Sequence, residues 1–468
     1  TCTLNKDVTI TIDGFGIYIT GQSGITIDGA GHTITGNGAS GIDNVGVNIT
    51  GQSSDITIKN LSITNFKMGI ASYTTNGLTI TDNTISNNGH HAIHGNGNDS
   101  VLIEDNNLNS NGSVSTGNGI DLDGGNSNYG MGNGSCSGTG SVVVKSNQIT
   151  DTQNWGMALN TIDGVCVEGN TITSSGGGIS VGGDNNKIIG NIVTQSDGYG
   201  IKINQAHGNT IQNNVITAGT GLMASNSNSG TLDGNTFSNN AGSAIYLNGA
   251  NSYDVTGNTI ESNNSQGLQI DSGSGHTVTD NTIQFNGNSG IRLTGTNVVI
   301  SDNILNSNND EGILILSGYS YTSTGNVIKN NNISNNAKGI SLSGNTNEIF
   351  NNNFISNTLQ SEVLDSSSGN LFDKGSSIGG NYWNTFDESS EGCDNSTPFD
   401  DYCDSAFVFT LGQDNFPWVL QNGVSPSPLP DTIPPVVVTP NDMAIQATSN
   451  NPSPVTFSAT ATDDTDEI

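Results

Sequence analysis

Basic residues are scarce in this chain: ten lysines and arginines stand against 42 acids, for a formal net charge of -32, and Arg292 is the only arginine. A surface so short of positive charge excludes nucleic acid or an anionic membrane as a partner held by a basic patch, and favours cations or divalent metals. No run of about 20 apolar residues occurs, which excludes a membrane-spanning helix. Aromatics make up 6% and charged residues 11% of the chain. No segment keeps a 3.6-residue apolar period, so helices are not expected. Cysteines number five, at positions 2, 136, 166, 393 and 403. An odd count in a glycine-rich, lysine-poor chain suggests two disulfides, Cys136 with Cys166 and Cys393 with Cys403, with Cys2 left over and an extracellular location.

What fills the sequence instead is glycine (63 residues), with Asn, Ser, Thr and Ile, arranged in a repeat. GLTITDNTISNN (77–88), GVCVEGNTITSS (164–175), SYDVTGNTIESN (252–263) and GHTVTDNTIQFN (275–286) are versions of one unit. The Asn before the apolar residue falls at 83, 106, 147, 170, 191, 214, 235, 258, 281, 303, 331 and 352, with most steps of 21 to 23 residues. Each unit holds two or three short alternating segments bounded by Gly, Asn and Ser, the pattern of strands separated by turns. One coil of about 22 residues cannot bury its apolar side chains alone; stacked at about 4.8 Å per coil, the units bury one continuous core. The fold class is therefore all-β, a right-handed parallel β-helix. The repeated Asn is expected at a bend, bonded to the backbone and to its equivalents above and below.

GITIDGAGHTITG (24–36) and DITIKNLSITNF (55–66) resemble the opening coils of the β-helix proteins grouped as carbohydrate-binding and sugar-hydrolysing repeats, and of NosD-like proteins. The resemblance covers about residues 8 to 420 and implies a β-helix over 1–372, followed by a disulfide-stapled cap over 373–420. GGNYW (379–383) and DNFPW (414–418) look like the terminal element of NosD-like chains. Tyr382, Trp383, Phe386, Phe399, Phe407, Phe409, Phe416 and Trp418 are the residues expected to cover the last coil. Within the cap lie seven acids: Asp387, Glu388, Glu391, Asp394, Asp400, Asp401 and Asp404. An oxygen-rich, thiolate-free loop suits Ca²⁺, with Asp387, Glu391, Asp394, Asp400, Asp401 and Asp404 as ligands, although the spacing of a true calcium loop is missing and a solvated acidic loop is the alternative. Copper handling, the other chemistry that the NosD resemblance raises, lacks a Met-rich or Cys-paired site. A Pro-rich linker spans 421–433, and residues 434–468 resemble the first strands of a hyalin-repeat (HYR) domain, an Ig-like sandwich. Such a segment could assemble with other chains by strand addition.

The repeat also places the candidate site. Eleven positions after each ladder Asn comes an outward residue of a GIxI-type strand: His94, Ala158, Lys202, Tyr246, Gln269, Arg292 and Leu314. Two residues on, Asn96, Asp123, Asn160, Asn204, Asn248 and Asp271 form a parallel row. The resemblance implies sugar binding along such a face, with Lys202, Tyr246, Asn248, Gln269, Asp271 and Arg292 as the binding set. The three histidines of NNGHHAIHGNGND (87–99) divide: His90 and His91 are read as turn residues, and His94 as facing outward beside Asp121 and Asp123 of the next coil. That coil has the longest insertion, which Cys136 is expected to hold over it. A His beside two carboxylates can ligate a metal or work as a general base, so His94, Asp121 and Asp123 are the catalytic candidates. Taken together, these features predict an extracellular cell-surface protein that binds polysaccharide or builds a surface layer or appendage without turnover. The alternative is a polysaccharide lyase or epimerase.

Overall fold

The computed structural model describes residues 1–38, 41, 44–113, 116–124, 135–137, 141–318, 322–364, 367–396, 401–423, 436–438 and 460–462. Among these the chain winds as a parallel β-solenoid with three strands per coil. The coil after Asn76 shows the pattern: Asn76–Thr81 lies on a first face, Thr84–Ser86 on a second and Ile93–Asn96 on a third. Each strand pairs in parallel with its counterparts in the coils before and after. The first face is a sheet of 15 strands, whereas the second and third are hydrogen-bonded into one sheet of 29. They join because Ile192–Asn204 and Val215–Ser225 run unbroken around the corner between them.

Strand alternation explains why so apolar-poor a sequence still folds. Each short strand points one or two Ile, Val or Leu inward, such as Ile80, Ile85 and Ile93, all of them buried, and stacking makes these one continuous core. The remaining outward positions can be polar without cost.

Turns follow an equally local rule. The residue before each ladder Asn sits in the left-handed region, as at Asp82 (φ 56°), Asn213 (φ 55°), Gly234 (φ 62°) and Gly257 (φ 61°). Only Gly, Asn and Asp reach that region cheaply, hence the repeated DN, NN and GN dipeptides. The Asn that follows turns inward and is buried. Its Nδ2 donates to the Oδ1 of the next Asn at 2.9–3.0 Å in every step from Asn83 to Asn352. The same Nδ2 donates to a backbone carbonyl, as Asn83 does to Ile58 at 3.0 Å. A second ladder, which the period alone did not separate from the first, runs along the far edge of the second face. It links Asn88 to Asn111, and Asn240 through Asn263, Asn286, Asn308 and Asn336 to Asn357.

At the C-terminal end Tyr382–Trp383 pairs with Asn353–Ile355 as the last parallel strand. Trp383 is fully buried and stacks on Phe354 (centroids 4.3 Å apart), with Phe407 and Phe409 behind it. The hairpin Phe407–Phe409 with Gly412–Asp414 and the Cys393–Cys403 disulfide complete this cover. Phe399 lies outside the described residues. The first ladder also enters the cap: Asn352 donates to Asn381, and the backbone N–H of Asn381 donates to Asp414 Oδ2 at 2.7 Å. Asp414 thus stands where another ladder Asn would be. Of the HYR-like segment, only strands Val436–Val438 and Thr460–Thr462 are described, as an antiparallel pair. The rest of 434–468, and linker residues 424–433, lie outside the described residues. No helix among the described residues is long and apolar enough to cross a membrane.

Candidate functional site

Strand register aligns one outward row along the third face: Tyr18, Asn48, Ala71, His94, Asp121, Ala158, Ser180, Lys202, Met223, Tyr246, Gln269, Arg292, Leu314, Ser341 and Glu362. Asn96, Asp123 and Asn160 stand in line two residues on, as do Asn204, Ser225, Asn248 and Asp271 further along. The eleven-residue offset read from the sequence therefore matches the register at the seven positions it named, while Asp121, Ser180, Met223 and Ser341 join the row at other offsets. Exposure differs from the expectation, because most of these side chains are half-buried against one another and Asp121 is almost fully buried.

His94 and Asp121 form one centre. His94 Nδ1 lies 2.9 Å from Asp121 Oδ2, while Asn118 Nδ2 (2.8 Å) and Asn160 Nδ2 (3.2 Å) donate to Oδ1. Burial alone would raise the Asp121 carboxyl. The hydrogen bond from His94, the nearby histidines and Asn118 outweigh it and hold Asp121 below the usual carboxylate range. An ionised Asp121 only accepts, so His94 Nδ1 carries the proton and Nε2 keeps its lone pair. Asp123, half-buried on the same strand, moves the other way: burial and then the Asp121 charge raise its carboxyl.

His91 corrects the sequence reading. It is not a spare turn residue: it is buried, stacks on His94 (centroids 5.4 Å apart) and brings Nε2 to 3.6 Å from Asp121 Oδ2. Ligand atoms of His91, His94 and Asp121 all lie within 4.8 Å of one another, a spacing compatible with a metal ion. The tautomer argues against that use. The backbone N–H of Asn118 donates to His91 Nδ1 (3.1 Å), which fixes the ring proton on Nε2, facing Asp121. A metal at Nε2 would need that proton moved to Nδ1, whose lone pair is already taken. Burial also pushes the His91 pKa well down. His91 is thus a neutral ring whose Nε2–H faces Asp121 from just beyond hydrogen-bond distance. Lys67 lies close enough for its charge to act on His90 and His91. From the sequence His91 was set aside as a turn residue, and Lys67 was not singled out.

A second centre gathers the expected binding set. Asp271 accepts from Arg292 (2.5 Å), Gln269 (2.8 Å) and Thr294 (3.3 Å), and burial and then Asp271 raise the Tyr246 phenol. Lys202 Nζ lies 5.6 Å from the Tyr199 ring centroid. Asn248 is aligned with Asp271 in the second row. A third centre was not foreseen: buried Glu311 accepts from Ser289 (2.9 Å) and Ser341 (3.3 Å), and Lys338 joins it (3.6 Å) to Glu362 (2.9 Å).

The disulfide expected in the long insertion is present, on a different face from His94. Cys136 bonds Cys166, a residue of the first-face strand Val165–Glu168, so the disulfide lies over the first face and not over His94. Beneath it is an open groove of about 450 Å³ lined by Thr57, Thr79, Leu102 and Val143 among others. Cys2 is exposed and free. In the acidic loop, Asp387 accepts from Tyr382 Oη, Glu391 from the backbone of Asp387 (3.0 Å) and Asp404 from Ser396 (2.9 and 3.1 Å). Asp394 and Asp401 accept there only through backbone carbonyls among the contacts found. Asp400 lies outside the described residues. Among the described residues the loop acids do not converge as the histidine centre does; a Cys136–Cys166–Glu168 group also converges, but its sulfurs are joined in the disulfide. Disulfides belong to oxidising compartments, extracellular or periplasmic.

Comparison with known proteins agrees with the architecture. The right handed beta helix region matches residues 1–134 and 132–276, and the periplasmic copper-binding protein NosD matches residues 243–388. No curated protein sequence matches. Similar solved structures include a double mutant of the periplasmic alginate epimerase AlgG (13% identity, TM-score 0.39, covering 69% of this chain and 76% of that one). Others are the A-module of the Azotobacter vinelandii mannuronan C-5 epimerase AlgE6 (14%, 0.37, 73% and 90%) and the Dettilon tailspike protein (15%, 0.35, 69% and 59%). Likeness at this level adds nothing about chemistry. The family match spans more than half of the sequence, and with a NosD-like stretch in its C-terminal half the chain belongs to the right-handed β-helix family.

Proposed function

We propose that this protein is an extracellular, cell-surface β-helix that binds a polysaccharide along its third face without turning it over, on its own or as part of a surface layer or appendage. One observation carries the reading: a fifteen-position row in strict register. Its central part sets two tyrosines, Lys202, Gln269, Asn248 and the Asp271–Arg292 pair on adjacent coils. Aromatic faces stack on sugar rings, while amides and paired charges hydrogen-bond hydroxyls and are already fixed in place. The test is a glycan array with wild type and Tyr246→Ala, with and without Ca²⁺. Binding that Tyr246→Ala weakens about tenfold or more supports the reading; a silent array, or binding indifferent to Tyr246 and Arg292, removes it. Ca²⁺ on the acidic loop belongs to the same proposal and is tested by melting with Ca²⁺ and with chelator.

A second reading has its own observation, the opposite displacement of two carboxyls around one imidazole. That split is how acid and base roles are assigned at one pH. His94 Nε2 would take the proton α to a uronate carboxylate, the C4–O bond would break as C4=C5 forms, and Asp123 would protonate the leaving oxygen. New absorbance from that double bond, abolished in His94→Ala, would replace binding by β-elimination.

A further inference from the structure

The second face is unlike its neighbours. Its outward positions form two rows. The first runs Thr33, Ser62, Thr84, Asn107, Gln148, Thr171, Ile192, Val215, Thr236, Thr259, Thr282, Ile304 and Asn332. The second is Thr35, Thr64, Ser86, Asn109, Thr150, Thr173 and Thr194, resuming as Ser238, Glu261, Gln284, Asn306 and Ser334. In a chain of net charge -32 these rows hold one charged residue, Glu261, and no aromatic before the first row runs on through Asn353 into Tyr382 of the cap. The first face, by contrast, displays Lys59, Glu104, Lys145, Glu168 and Lys187, and the third the clusters described above.

Three further observations bear on what such a face can hold. Large apolar side chains stand exposed among the threonines: Ile192 (43%), Val215 (41%) and Ile304 (47%). Strand register here runs without a slip over Thr33–Thr35 to Thr171–Thr173 and over Thr236–Ser238 to Asn332–Ser334. Both edges of the face are pinned by buried Asn ladders, one before each strand and one after it in the coils from Asn83 to Asn111 and from Asn235 to Asn357. Side-chain ladders are what keep a many-stranded sheet flat. The outcome is a regular grid of hydroxyls, methyls and amides with Glu261 as its single charge, spaced about 4.8 Å between coils and about 6.6 Å along a strand.

We propose that the second face adsorbs to ice. A neutral planar lattice is the occupant whose chemistry fits: ordered water meets hydroxyls, methyls and amides at regular intervals, and away from Glu261 no charge has to be desolvated. Crystalline sugar faces are usually gripped by aromatic rings, which these rows lack before the cap. A second copy of the chain would gain little, because hydrated threonines and three scattered aliphatics make a weak apolar contact.

Ice shaping, recrystallisation and the gap between melting and freezing points would be measured on the full chain. Variants are Thr173→Lys and Thr259→Lys on the second face and Thr231→Lys on the first, each checked for unchanged melting of the fold. Expected is a concentration-dependent gap with faceted crystals, lost in Thr173→Lys and in Thr259→Lys and retained in Thr231→Lys. Unshaped ice with folded wild type would overturn the proposal, as would equal loss in Thr231→Lys. So would a dimer in solution that Thr173→Lys dissociates, since the face would then be an interface between copies.

Discussion

Two buried polar networks lie within a few coils of each other, the Asn83–Asn106–Asn147 ladder and the His91–His94–Asp121 centre, and they differ in one respect. In the ladder every amide repeats the partners of the one before it, at 2.9–3.0 Å. In the histidine centre four side chains converge on a single carboxylate, and among the described residues no other coil sets a histidine pair on one. Buried polarity that repeats is architecture, satisfied coil by coil. Buried polarity that occurs once has no architectural reason, and it marks a place where the coil does something else.

The sharpest way to break this contrast is to damage the ladder. Asn235→Ala removes two donations from its Nδ2 and two acceptances at its Oδ1. With orphaned groups left in the core, a loss of roughly 3–5 kcal/mol is expected by urea unfolding. A loss below 1 kcal/mol would mean that the ladder is decoration. Next comes the staple: replacing Cys393 and Cys403 by Ser should cost about 2–3 kcal/mol, read as a lower Tm that reductant reproduces in wild type. Third are groups that stand in ladder-like positions without being amides. Burial pushes Asp414 up to about 7, so its contribution is full below its unfolded value near 4 and fades as pH rises toward 7. Burial pushes His276 down to about 4, so its contribution is present above an unfolded value of about 6.5 and fades as pH falls toward 4. Asp414→Asn should remove a fall in Tm as pH rises from about 4 to 7, and His276→Asn a fall in Tm as pH drops from about 6.5 to 4. Smallest in stability is His94→Ala, expected to shift unfolding by less than about 1 kcal/mol while changing ligand binding or turnover. A large loss of stability there would move the histidine centre into the architectural class.

Much of this was legible in the sequence because the coil period converts position into place. The Asn spacing and the eleven-residue offset put His94 beside Asp121, and Lys202 in line with Arg292, before any coordinates. What the period could not carry is the direction of corner side chains. His91 aligns with Ser243, and both fold onto the third face of the next coil, Ser243 reaching Gln269 at 3.1 Å. Reading that pair together would have recovered His91. Asp414 left no signal of its own: its role comes from a hairpin that breaks the period. The Cys136–Cys166 pair was legible, but loop length does not say which face of the coil a disulfide will lie over.

The ladder also has a direction. Every Nδ2 donates toward the C-terminal end, so thirteen side-chain dipoles from Asn83 to Asn381 point the same way and polarise one another. Such an array ends in a donor with no further Asn to meet it, as a helix does at its N-terminus, and an acceptor oxygen is the natural terminator. Asp414 occupies that terminus, accepting from Asn381 and from Trp383 Nε1 at 2.9 Å. The solenoid is therefore electrically vectorial, with a carboxylate as its full stop, and coils can be added to it in one orientation only.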